Sequence, residues 1–97
     1  MTYYIALVEE EEGKAVGVWF PDLPGCFSAG GTLDEAMLNA REAVALYAES
    51  FSDDGESLPR ARTLTELKAD PDVAADLKAY IVALVPVERD GLRPAAE

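Results

Sequence analysis

The run Phe20-Pro21-Asp22-Leu23-Pro24-Gly25-Cys26, followed at once by Phe27-Ser28-Ala29-Gly30-Gly31-Thr32-Leu33-Asp34-Glu35-Ala36, constrains the fold more than any other part of the chain. Two prolines bracket a turn. Each fixes its own φ and biases the residue before it to extended geometry. Asp22 can accept hydrogen bonds from backbone N–H groups just ahead of it, and Gly25 can take positive φ. Cys26 to Ala29 reads as a short strand, with Cys26 and Ser28 facing opposite to Phe27 and Ala29. Gly30-Gly31 turns the chain again. Thr32-Leu33-Asp34-Glu35 then matches the capping box of a helix start, and Asp34 and Glu35 sit where the helix dipole favours negative charge.

The flanking segments complete the pattern. Tyr3 to Val8 is apolar and predicts a strand. Glu9-Glu10-Glu11-Glu12-Gly13 cannot be core, so it is an exposed hairpin loop with Gly13 supplying the turn. Lys14 to Phe20 alternates, with Val16, Val18 and Phe20 on one face and Ala15, Gly17 and Trp19 on the other: a second strand, antiparallel to the first. After Thr32, the residues Leu33, Met37, Ala40, Val44, Tyr47 and Phe51 recur at helical spacing, with Ala36, Ala43 and Ala48 widening the face. Asn39, Arg41, Glu42 and Glu49 should be wet, and Gly55 should stop the helix. Thr63 begins a helical turn at Leu64 to Leu67, and Asp70-Pro71 opens a short helix to Leu77. Tyr80 to Val87 is the strongest strand, its continuous apolarity suggesting burial on both faces or pairing across a subunit interface. Pro86 marks that strand's end or an edge. The order β-β-β-α-β predicts an α+β fold: a small, mostly antiparallel sheet with one long helix packed on one face. One domain spans residues 1–87, and residues 88–97 read as a polar tail.

Composition narrows the chemistry. With 19 acidic and 8 basic residues among 97, the chain carries a net charge of -11. That field repels phosphate backbones and attracts basic partners, more strongly at low salt. There is no histidine, which removes Ser-His-Asp and Cys-His catalysis and most transition-metal sites. The single cysteine, Cys26, cannot form an internal disulfide; it reads as a small buried hydrophobe, and a reducing, cytoplasmic setting fits it. No apolar run reaches the ~20 residues of a membrane span, and nothing at Met1-Thr2-Tyr3-Tyr4 suggests a secretory leader.

A metal-dependent nuclease needs several acids converging on its ions, and Asp22, in a turn beside a strand, could be one of them. The other acids fall in loops, on the helix exterior and in tails, so a solvated acidic surface is the better reading. Gly30-Gly31 has neither GxGxxG spacing nor a following Lys, and reads as a turn and not a phosphate loop. Trp19 and Phe20 lack the positive groove of a base-stacking platform. Arg60, Arg62, Arg89 and Arg93 are scattered and read as solvated charge. No catalytic residue, metal ligand or cofactor is assigned.

From Phe20 to Ala36 the chain resembles the HicB antitoxin family, specifically its N-terminal domain. That family typically carries F/I-P-D-L-P-G-C/V, a short strand, a Gly turn and T-x-x-E-A. Here Phe20-Pro21-Asp22-Leu23-Pro24-Gly25-Cys26, Ser28-Ala29-Gly30 and Thr32-Leu33-Asp34-Glu35-Ala36 stand in those places. Asn39-Ala40-Arg41-Glu42-Ala43 and Gly55-Glu56-Ser57-Leu58-Pro59 extend the likeness, which covers roughly residues 3 to 87. The resemblance implies a partial ribonuclease H-like fold without that fold's catalytic acids. It also implies an antitoxin of a type II toxin–antitoxin system, not an enzyme, whose partner is a HicA-type toxin: a small basic ribonuclease that degrades mRNA. Many family members add a C-terminal DNA-binding domain. Residues 88–97 cannot form one, so operator binding is not expected from this chain alone.

By charge, the toxin-binding candidates are Glu9, Glu10, Glu11 and Glu12 with Asp53 and Asp54. A homodimer or higher oligomer is expected through Tyr80, Val82, Leu84 and Val85, because little chain follows to cover an apolar strand. Two other functions stay open from the residues: a metal-dependent ribonuclease H-like nuclease, and a stand-alone interaction domain with another partner.

Overall fold

The computed structural model describes residues 2–87. The element order is β1 (Thr2–Glu9), β2 (Val16–Trp19), β3 (Phe27–Gly30), α1 (Leu33–Asp53), α2 (Leu64–Lys68), α3 (Pro71–Ala79) and β4 (Ile81–Val87). The strands form one sheet in the order β3-β2-β1-β4, with every neighbour antiparallel. This is the α+β arrangement expected, with α1 lying across one face. The polar tail assigned to residues 88–97 lies outside the described residues.

Register follows from hydrophobic alternation. Val8 pairs with Val18 across β1 and β2, and Tyr4 with Val85 across β1 and β4. A one-residue slip would turn each buried set toward solvent. Tyr4, Ala6, Val8, Val16, Val18, Val85 and Val87 share the face under α1 and join one core with Ala36, Ala40, Val44 and Ala48 of the helix. On the opposite face Ile5 and Leu7 are buried, as is Leu67 of α2.

The centre line of α1 is small. Ala36, Ala40, Val44 and Ala48, spaced by four, are buried, while Met37, Tyr47 and Phe51 flank them half-buried and Leu33 is exposed. The sequence places Ala40 and Val44 in this face but Ala36 and Ala48 only at its margin. Close approach changes this: a Cβ on Gly30 would stand 2.5 Å from the Ala36 nitrogen, so helix and strand touch backbone to backbone.

Helix ends are satisfied as the sequence suggested, with one change. The Thr32 hydroxyl accepts from the Glu35 N–H at 3.1 Å, but the Glu35 carboxylate reaches past Thr32 to the Gly31 N–H. The full reciprocal box occurs at α2, between Thr63 and Glu66. At the far end of α1, Gly55 takes φ 75°, and the Glu56 N–H donates to the Phe51 carbonyl at 2.8 Å. That is the left-handed stop that glycine permits.

β4 begins at Ile81, because Tyr80 still caps α3 by donating its N–H to the Asp76 carbonyl. The expectation of burial on both faces fails: only Val85 and Val87 of β4 are buried. β4 is an edge strand, which explains how Pro86 sits inside it.

Candidate functional site

The turn from Phe20 to Cys26 is closed by two backbone hydrogen bonds, Leu23 N–H to the Phe20 carbonyl at 3.2 Å and Cys26 N–H to the Leu23 carbonyl at 3.0 Å. Gly25 has φ 84°, which a side chain would strain. Phe20, Leu23 and Cys26 point into the core, and burial pushes the Cys26 thiol up from its ordinary pKa. The Tyr47 hydroxyl donates to the Pro24 carbonyl at 2.8 Å, tying the turn to α1. Burial and then the neighbouring Cys26 raise the Tyr47 pKa.

Asp22 behaves otherwise than the sequence suggested. Its partner is not the backbone just ahead but Arg62, forty positions on. The Arg62 backbone N–H and its Nε each donate to an Asp22 carboxylate oxygen at 2.7 Å. Arg62 Nη1 also donates to Asp70 at 2.9 Å, and the other Asp70 oxygen accepts the Asp72 N–H that starts α3. Arg62 is therefore a hub and not solvated charge, and its side chain is 29% exposed against 8% for Asp22. Hydrogen bonds to Asp70 and Asp22 raise the Arg62 pKa, and Arg62 holds the Asp70 carboxyl below its usual range. Arg60 likewise grips Glu66 through both oxygens, at 3.1 and 2.9 Å. The guanidinium of Arg60, then the Thr63 N–H, lower the Glu66 pKa to about 2. The Tyr4 hydroxyl donates to the Pro59 carbonyl at 2.5 Å. Together these contacts lash residues 59–70 to the sheet and the proline turn. Asp22, the acid singled out for metal chemistry, is committed to this lashing.

The two acidic candidates do not form one patch. Glu10, Glu11 and Glu12 border a shallow groove with Gly31, Thr32 and Leu33, at the start of α1. Glu11 also pairs with Lys14 at 3.3 Å. Asp53 and Asp54 sit at the other end of a 21-residue helix, about 30 Å away at the rise of an α-helix. The interface candidates divide similarly. Val82 and Leu84 are exposed. Val85 lies in the core at 0% exposure, so its side chain is unavailable to a partner. The Tyr80 ring meets Trp19 edge-on at 4.9 Å. The structure adds residues that the sequence did not mark: Tyr3 and Leu64 join Val82 and Leu84 in an apolar groove on the sheet face away from α1. Only a strand register could have brought Tyr3 to that groove, and no local signal announced the Asp22–Arg62 pair.

The whole chain resembles known proteins. The family model for the HicB-like antitoxin of bacterial toxin–antitoxin systems matches residues 4–97. The chain belongs to this HicB-like antitoxin family. An uncharacterized 14.9 kDa protein of Haemophilus phage HP1 is 40% identical over 97 residues, covering 100% of this chain and 68% of the relative. The crystal structure of the Burkholderia pseudomallei antitoxin HicB matches with TM-score 0.73 and 35% identity, over 90% of this chain and 64% of that one. A chain of a HicA3 and HicB3 toxin–antitoxin complex matches with TM-score 0.68 and 26% identity, over 90% of this chain and 99% of that one. The chain thus spans under two thirds of the Burkholderia antitoxin. The HicB-like fold is the α+β sheet-and-helix arrangement described above.

Proposed function

We propose that this chain is a non-enzymatic antitoxin that binds and neutralises a HicA-type toxin, a small basic ribonuclease acting on mRNA in the cytoplasm. Membership of the HicB-like family over residues 4–97 carries this reading, and the likeness to a chain of a HicA3–HicB3 complex supports it. The physics is compatible. A net charge of -11 is attracted to the positive surface a ribonuclease offers RNA, so antitoxin and substrate compete for one surface. Two acidic ends, at Glu9–Glu12 and at Asp53–Asp54, are the places where such a partner is drawn. The antitoxin acts as a homodimer or higher homo-oligomer, because β4 presents an uncharged apolar edge.

Co-expression with any small basic protein encoded beside it tests the reading. Growth arrest by the neighbour, relieved by this chain, is expected, and the pair should copurify. A harmless neighbour, or toxicity that this chain does not relieve, sinks the proposal.

A further inference from the structure

The two edges of the sheet are finished differently. β3 is four residues long, and the Asn39 side-chain amide donates to its Ala29 carbonyl at 2.8 Å. Shortness and an occupied acceptor both blunt an edge. β4 is seven residues long, and no charged residue occurs from Ala79 to Val87. Its Ile81, Val82 and Leu84 are 46%, 40% and 60% exposed. On the outer face Val82 and Leu84 run into the groove with Tyr3, Ile5, Ala61 and Leu64.

We propose that β4 is the pairing edge for a second copy of this chain, joined antiparallel about a two-fold axis at Ala83, so that two four-stranded sheets become one of eight. This deepens the self-association proposed above and rests on it. Charge selects the occupant. A basic partner is recognised by acidic groups, and this edge has none in a chain that is otherwise strongly acidic. An identical strand matches it in polarity, and an antiparallel pair about a two-fold axis is self-complementary.

Pro86 selects the register. It has no N–H, so a sheet accommodates it where its nitrogen faces away from the neighbouring strand. By the period of two, the amide groups of Val82 and Leu84 face away from β1 as well. Centring the pair on Ala83 sets Val82 opposite the partner's Leu84, and Leu84 opposite the partner's Val82. All four of those N–H groups then find carbonyls. Centring on Leu84 instead would set Val82 against the partner's Pro86 and lose a donor at each end. In the Ala83 register the side chains of Val82 and Leu84 from both copies meet on the outer face. Such a seam is at the small end of interface sizes, about 1,200 Å² in total or less, so the dimer belongs with the weak, concentration-dependent ones. Each copy carries -11, so added salt strengthens the pairing by screening repulsion.

Sedimentation of the full chain from low micromolar to submillimolar concentration, at low and high salt, is the test. The wild type should shift from monomer to dimer, more readily at high salt. Leu84→Lys and Val82→Lys should each move that shift about tenfold upward in concentration, because each sets a lysine against an apolar residue of the partner strand, with the partner's own lysine as its diagonal neighbour roughly 7 Å away. Both sites are exposed, and an unchanged thermal midpoint will show the variants folded. Ala83→Cys should form an interchain disulfide at the axis on mild oxidation. The wild type, whose Cys26 is buried, should not. A wild-type monomer throughout would overturn this proposal and the self-association beneath it. A dimer indifferent to Leu84→Lys and uncrosslinked through Ala83→Cys would overturn the β4 geometry while leaving self-association standing.

Discussion

Asp22 shows how much one carboxylate can organise. Its two oxygens take an amide and a guanidinium N–H from Arg62, both at 2.7 Å. The side chain is 8% exposed, so water cannot readily replace those bonds. Removing an acceptor of charge-assisted hydrogen bonds at such a site costs about 2 kcal/mol. We expect Asp22→Ala to lower unfolding stability by that amount in urea titration. Gly30→Ala should cost a similar about 2 kcal/mol, since its new Cβ would meet backbone and not a movable side chain. The sequence displayed both residues. Gly30 was legible as a turn, but its close approach to Ala36 was not, because nothing local says which helix residue will pass over a strand. Asp22 was legible as a turn acceptor, a local role that a distant arginine took over. Val85 was misplaced because a run of apolar residues does not reveal which of its two faces the helix will cover.

At the scale of elements, the connection from α1 to α3 is held by polar contacts as well as packing. Glu66 carries a pKa of about 2 in the fold against an ordinary 4.5. A carboxyl depressed by folding stabilises the folded state above its ordinary pKa, and that contribution disappears as pH falls through the folded value. Stability should therefore decline between pH 4.5 and about 2, with Asp70 acting in the same direction. Thermal melts across that range should show a shallower decline for Glu66→Gln than for the wild type. An identical slope would mean that the Arg60–Glu66 pair contributes nothing to the acid response. Helix starts at Thr32, Thr63 and Asp70 were all readable from sequence, since caps act within one turn. Partners across the loop were not readable, since each depends on where the sheet sets the proline turn.

For the whole molecule, the charge is large but divided. The Glu9–Glu12 hairpin and the Asp53–Asp54 end lie at opposite poles of α1. If encounter with a basic toxin is driven by the overall field, rising salt should slow association sharply while dissociation changes little. Replacing Glu9, Glu10, Glu11 and Glu12 together by Gln should slow association about tenfold at low salt and leave the thermal midpoint near the wild-type value. Surface plasmon resonance at several ionic strengths reads both. A variant that binds at the wild-type rate would move the contact to the other pole.

β1 lies inside the sheet, with β2 on one side and β4 on the other, and Thr2 stands opposite Val87. On a ribosome β1 emerges before the other described strands, yet one of its neighbours, β4, emerges after all of them. The hairpin with β2 and the long helix can form early. The other flank of β1 stays open until the chain has been made through Val87. Closing it joins residues some eighty positions apart, a step whose loop entropy makes it slow and late. A nascent chain paused before β4 thus carries an open, apolar strand flank, and completion of β4 is the event that turns a sticky intermediate into a finished sheet.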